Sequence, residues 1–139
     1  MAHFIPSGRR SAIRRAGYTL IELMIVMAII SIMVAIAVPM YQKALVRTKE
    51  SLLKNNLFTL RTVIDEYTFD KKKAPLALQD LVSEGYLRAI PLDPITGNDQ
   101  WVVIQEDAVS AVDQTAPGIW DVHSASDRKS LEGTQYADW

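Results

Sequence analysis

Apolar side chains follow two different patterns along the 139 residues. From Leu20 to Tyr41 they are almost continuous. Met24, Ile25, Val26, Met27, Ile29, Ile30, Ile32, Met33 and Val34 cover every face a helix can present, and Ser31 is only a mild break. After Tyr41 the run passes, without a turn signal, into helical spacing. Ala44, Leu45, Leu52, Leu53, Leu57, Leu60, Val63, Ile64 and Tyr67 recur on one side, while Lys43, Arg47, Lys49, Glu50, Lys54, Arg61, Asp65 and Glu66 fill the others. The spacing predicts one helix from Tyr18 to about Phe69, longer than soluble helices usually are. Lys71-Lys72-Lys73 and Pro75 end it, the lysines reading as a solvated terminus favoured by the helix dipole. A short second helix is predicted over Leu76 to Leu87, with Gly85 near its end. A turn-rich loop follows from Ile90 to Asn98. Trp101 to Ile104 and Gly118 to Val122 read as strands, Ala108 to Val112 as a weaker one, and Ser124 to Trp139 has no period. The fold class expected is α+β: a long N-terminal helix packed on a small antiparallel sheet.

Charge changes the picture at the N-terminus. Arg9, Arg10, Arg14 and Arg15 precede the apolar block with no acidic residue among them. Basic then apolar is also the order of a secretory signal peptide, but Pro39-Met40-Tyr41-Gln42-Lys43 offers no small-residue cleavage site after the block. Residues 18–41 number about 24, against the roughly 20 needed to cross a bilayer core. The positive-inside rule puts the arginines in the cytoplasm and the bulk of the chain outside. Pro39 lacks a backbone donor and crowds the preceding turn, which predicts a kink or local melting. Removal of the arginine segment takes four of the 15 basic side chains and none of the 16 acidic ones, leaving an acidic surface unsuited to nucleic acid.

Little points to catalysis. Cysteine is absent, so neither disulfides nor thiolate metal sites are available. Nucleophile elbows, phosphate-binding glycine loops and paired-histidine helices are missing. His3 lies ahead of the apolar block, His123 stands alone, and Asp65 and Glu66 are adjacent on a helix and diverge. The unusual residue is Glu22, a carboxylate near the start of the apolar run. At the headgroup boundary it costs little; within hydrocarbon it marks a function or a partner.

Gly17-Tyr18-Thr19-Leu20-Ile21-Glu22-Leu23 resembles the processing motif of type IV pilins and type II secretion pseudopilins. The resemblance implies that a membrane peptidase cuts between Gly17 and Tyr18 and N-methylates Tyr18, with Glu22 as the family glutamate and Pro39 as its helix-kinking proline. Tyrosine stands where phenylalanine is usual. Residues 1–17 are then a leader, 18–41 the membrane and assembly helix, and 42–139 a periplasmic domain that includes the second half of the helix. Cleavage leaves a cationic amine at Tyr18, one turn from Glu22. Either that carboxylate or a neighbouring subunit's can pair with it and offset the desolvation of both charges. The resemblance implies the intersubunit version.

The lysine-proline stretch, Gly85-Tyr86-Leu87, the Pro91-x-Asp93-Pro94-x-x-Gly97-Asn98 loop and Trp139 are similar to the major pseudopilin, as is the lack of a C-terminal cysteine pair. That branch implies a structural, non-enzymatic subunit of an inner-membrane-anchored filament that drives export of folded proteins. A type IV pilus subunit for adhesion, motility or uptake is the alternative, and a generic anchored protein that does not polymerise the blandest reading. Expected partners are further copies, minor pseudopilins, the inner-membrane assembly platform with its ATPase, the prepilin peptidase and N-methyltransferase, and lipid before assembly. No cofactor is required. The resemblance also raises calcium, with Ser124, Ser126, Asp127, Ser130, Glu132 and Asp138 as hard oxygen donors, although the glycine-rich spacing is missing and Arg128-Lys129 adjoin.

Overall fold

A computed structural model describes residues 17, 19–106 and 117–139. Its first element, α1, is an unbroken helix from Leu20 to Lys71. By contacts the chain divides into two units, Met1–Pro39 and Met40–Trp139.

In the first unit every described helical residue is exposed, including Met24, Ile29 and Met33. The helix is long and apolar enough to cross a membrane. Local melting at Pro39 does not occur: the backbone stays helical through it. Ser31 Oγ donates to the Met27 carbonyl at 2.8 Å, so the break in the apolar run is satisfied within the helix.

In the second unit α1 buries a single stripe of Leu53, Leu57, Leu60, Val63, Ile64 and Tyr67. The spacing of three and four residues keeps these side chains on one face. Ala44, Leu45 and Leu52, expected on the stripe, are exposed. The first two lie before the stripe begins, and Leu52 is rotated off it by one residue. The helix ends at Lys71, beyond the expected Phe69, with Lys72 in the left-handed region at φ 59°. Lys71 Nζ pairs with Glu84 at 2.6 Å, which raises its pKa through the hydrogen bond and then the charge. Lys72 Nζ sits 4.2 Å from the Phe69 ring centroid.

The second helix, α2, is shorter than expected and spans Leu78–Ser83. Asp80 Oδ2 accepts the Leu76 and Ala77 amides at 3.0 Å, spending those donors on a cap rather than a helical turn. Leu78 and Leu81 complete the helical side of the core.

Strands β1 (Trp101–Gln105) and β2 (Ile119–Ser124) pair antiparallel with Trp101 opposite Ser124. The register shifts after Ile104, so Gln105 meets Ile119 and Trp120 is the extra residue of a bulge. Trp101, Ile119 and Val122 face the helix stripe, and the α+β expectation holds. The weaker strand candidate, residues 108–112, lies outside the described residues. Ahead of β2, Gly118 packs so closely that an added Cβ would collide with the Ala74 side chain and carbonyl. Next to it, the Ile119 amide donates to the Pro75 carbonyl at 2.7 Å.

Candidate functional site

Two regions merit chemical scrutiny, the start of α1 and the aperiodic C-terminal segment. At the helix start, Thr19 Oγ1 accepts the Glu22 amide at 3.2 Å and the Thr19 carbonyl accepts the Leu23 amide at 3.1 Å. Thr19 is therefore a side-chain N-cap, and Thr-x-x-Glu is the spacing of a capping box. The Thr-x-x-Glu spacing at 19 and 22 is itself a signal of a helix start in the sequence. The Glu22 carboxylate lies in the first turn, at the positive end of the helix dipole, where an anion is favoured. Among the described residues it has no ion-pair partner. Gly17 is exposed, and a Cβ there would meet nothing. Tyr18 and residues 1–16 lie outside the described residues.

The C-terminal segment is tied to α1 through three charged helix residues, for which the helical spacing predicts only a place off the apolar stripe. Glu50 Oε1 accepts the Leu131 amide at 2.8 Å and the Tyr136 hydroxyl at 2.9 Å. Burial first, and the Glu50 carboxylate second, raise the Tyr136 pKa. Lys54 Nζ lies 4.3 Å from the Trp139 ring centroid. Arg61 donates to Asp121 Oδ1 at 2.6 Å and to the carbonyls of Val122 and Trp139 at 3.0 and 2.9 Å. Positions 50, 54 and 61 are separated by whole helical turns, so one face presents all three. Tyr136 and Trp139 rings meet edge to face at 5.1 Å between centroids, and a 3₁₀ turn, Tyr136–Asp138, holds them.

Residues singled out as calcium ligands do not converge. Asp127, Glu132 and Asp138 are exposed, and no described group of three carboxylates, histidines or cysteines could hold a metal. Ser124 Oγ donates to Asp93 Oδ2 at 2.5 Å and accepts the Ser126 amide at 3.2 Å. Ser126 Oγ accepts the Arg128 amide, and Ser130 Oγ pairs with Thr134 Oγ1 at 2.9 Å. A calcium shell needs six to eight free oxygens. This donor set does not fit one: its serine oxygens hold turns together, and its three exposed carboxylates do not gather with them.

The buried acid in this region is Asp93, which is fully buried. Its Oδ1 accepts the Ile95 amide at 2.7 Å and the Thr96 amide at 3.3 Å, while its backbone bonds Gly97 and Asn98. Gly97, at φ +81°, gives the loop its return turn. Pro91-to-Asn98 is thus a pinned loop, joined to β2 through Ser124. His123 Nε2 lies 3.3 Å from Asp121 Oδ2, but Asp121 is already committed to Arg61, which makes the pair part of the contact between β2 and α1.

Residues 13–38 match the family model described as the prokaryotic N-terminal methylation motif. The matched stretch contains Gly17, Tyr18, Thr19 and Glu22, the residues around the capped helix start.

The chain is a member of the type IV pilin-like superfamily.

Over 58 residues this pilin-like chain is 48% identical to the type IV major fimbrial protein FimA of Dichelobacter nodosus, covering 42% of the chain and 36% of the relative. It is 47% identical over 60 residues to the type IV major pilin protein PilA of Myxococcus xanthus, covering 43% and 27%. A match to the type II secretion system core protein G of Pseudomonas aeruginosa is 27% identical over 97 residues, covering 58% and 68%. The pilin-like chain thus spans about a third of the length of the first-ranked fimbrial relatives. No solved structure matches it with comparable significance.

Proposed function

We propose that this chain is a structural subunit of a type II secretion pseudopilus, held by residues 18–41 in the inner membrane and later packed by the same helix into a periplasmic filament. The carrying observation is an apolar helical surface with no buried residue from Leu20 to Val38, headed by a carboxylate without a described partner. An apolar face of that extent needs lipid or other helices around it. Lipid supplies this before assembly, and identical helices supply it afterwards.

In this reading a peptidase cuts after Gly17, and the methylated Tyr18 amine of one subunit meets Glu22 of another. Pro39 gives the helix a place to yield as it leaves the bilayer. The pseudopilus branch is supported by the reach of the core protein G similarity, which covers 58% of the chain, beyond the share covered by the FimA and PilA matches. A surface pilus is the second reading, favoured by the higher identity to fimbrial proteins over the helix.

Mass spectrometry of the chain from its native membrane tests the processing. A methylated N-terminus at Tyr18 is expected, and a chain that still carries the arginine leader overturns it. Deletion separates the branches: loss of protein export with surface filaments unchanged supports the pseudopilus, and the reverse supports the pilus.

A further inference from the structure

Immediately past residues 18–41 the chain carries charge of one sign. Lys43, Arg47 and Lys49 follow Tyr41 within eight residues, and no acidic residue occurs between Glu22 and Glu50. With the N-terminus in the cytoplasm these cations stand on the far side of the membrane, against the usual bias. A cleft of about 250 Å³ opens beside them, wholly within Met40–Trp139. Gln42, Leu45, Val46 and Lys49 line it from one face of α1, at the three-and-four spacing that keeps them together. Ile95 of the pinned loop, Arg128 and the buried Tyr136 complete the lining. Among the described residues, neither Lys49 nor Arg128 has an ion-pair partner.

The lining is amphiphilic. Leu45, Val46 and Ile95 supply apolar surface, and Lys49 and Arg128 supply two cations with no acidic residue among the lining side chains. Glu50, next to Lys49 in sequence, is taken up by the Leu131 amide and the Tyr136 hydroxyl. Arg128 is fixed through its backbone: its amide donates to Ser126 Oγ at 3.3 Å and its carbonyl accepts the Tyr136 amide at 3.0 Å, which leaves the guanidinium free. We infer that this cleft seats the headgroup of an anionic phospholipid. Arg128 forks two phosphate oxygens, Lys49 adds a point charge, and the glycerol carbons lie on Leu45, Val46 and Ile95. A zwitterionic lipid would bring an ammonium with no free carboxylate to receive it. Position supplies the lipid. Lys49 lies about 12 Å past Tyr41 along the helix, close to a headgroup layer about 5–8 Å deep, and its long stem reaches back toward it. The inference rests on the anchoring half of the proposed function. Release of this lipid then becomes part of leaving the membrane.

The full chain is reconstituted in vesicles of phosphatidylethanolamine and phosphatidylglycerol, released into mild detergent and weighed intact by native mass spectrometry. One retained phosphatidylglycerol per chain is expected, with little phosphatidylethanolamine. Lys49→Gln and Arg128→Gln should each lower the retained fraction several-fold. Lys43→Gln combined with Arg47→Gln, off the cleft, should leave it nearly unchanged. All four side chains are exposed, so thermal melts should not move. Equal retention of both lipids, or equal losses from the two sets of variants, overturns the site in favour of diffuse attraction to a charged surface. Displacement of the lipid by inorganic phosphate at matched concentration makes a soluble anion the occupant and overturns the lipid assignment. Filaments lost in Lys49→Gln while lipid retention is unchanged give the cleft to a second copy and overturn it as well. A chain recovered from its native host as a soluble monomer overturns the anchoring reading itself.

Discussion

Asp93 and Glu50 show how single carboxylates organise segments that have no periodic pattern. Asp93 is fully buried and accepts from Ile95, Thr96 and Ser124, so removing it strands several donors at once. Each stranded buried group costs about 1–3 kcal/mol. Asp93→Ala should therefore lower unfolding free energy by about 3 kcal/mol, and Ser124→Ala by about 1 kcal/mol. Because the two share one bond, the double variant should lose less than the sum, as read by urea denaturation in detergent. Glu50 acts through Tyr136, whose phenol is held protonated by burial and by the carboxylate. A raised folded-state pKa means that the fold binds this proton more tightly than the unfolded chain does. Its contribution is complete below the ordinary phenol value of about 10 and is lost as pH rises through the folded value. Tyr86, raised by burial and Asp70, and Lys71, raised by Glu84, act in the same direction. Tyr136→Phe should cost about 1 kcal/mol at pH 7 and make the decline above pH 10 shallower, without abolishing it, in melts from pH 7 to 11.5.

Among the elements, α1 was the most legible and its two halves were legible for different reasons. From Leu20 to Tyr41 an apolar run without periodicity announces a helix surrounded by apolar matter. From Leu53 to Tyr67 a three-and-four spacing announces one buried face. The spacing alone did not reveal where the stripe begins, because burial depends on which partner reaches the helix. Trp101, Ile119, Val122 and Tyr136 cover Leu53 onward, whereas Leu45 and Leu52 stay exposed. Leu60→Ala should cost about 2–5 kcal/mol, and Leu52→Ala should stay within about 0.5 kcal/mol. Equal losses in chemical denaturation would contradict the stripe. Both strands were legible from their β-branched and aromatic residues. The bulge at Trp120 was not, because nothing local distinguishes that tryptophan from its neighbours. The C-terminal strap was illegible for a similar reason. Its order comes from bonds to Glu50, Lys54 and Arg61, at least 60 residues away in sequence. The oxygens there suggest a metal shell, but the geometry shows the serine hydroxyls engaged with neighbouring amides and hydroxyls and the carboxylates exposed and apart.

For the whole molecule the decisive question is what Glu22 does, since two physical roles converge on one residue. As the third residue of α1 it occupies the capping-box position opposite Thr19, a local and purely structural role. As a carboxylate beside the amine that cleavage would create at Tyr18, it is, in the function proposed above, the group through which copies would recognise one another. The roles separate by chemistry. Glu22→Gln keeps the length and hydrogen-bonding capacity that a capping box uses, since glutamine serves at that position as well as glutamate. It removes only the charge. Thr19→Ala does the opposite, removing the cap at about 1 kcal/mol of helix-start stability and leaving the carboxylate intact. If charge pairing drives assembly, the glutamine chain is processed normally and accumulates in the membrane without forming filaments, whereas the alanine chain still assembles. Filament yield by sedimentation, together with the processed fraction by mass, reads both outcomes. Assembly that survives Glu22→Gln and fails with Thr19→Ala would reduce Glu22 to a helix cap. The apolar surface of α1 would then have to bring subunits together without electrostatic guidance, a non-directional attraction that buries area but sets no register.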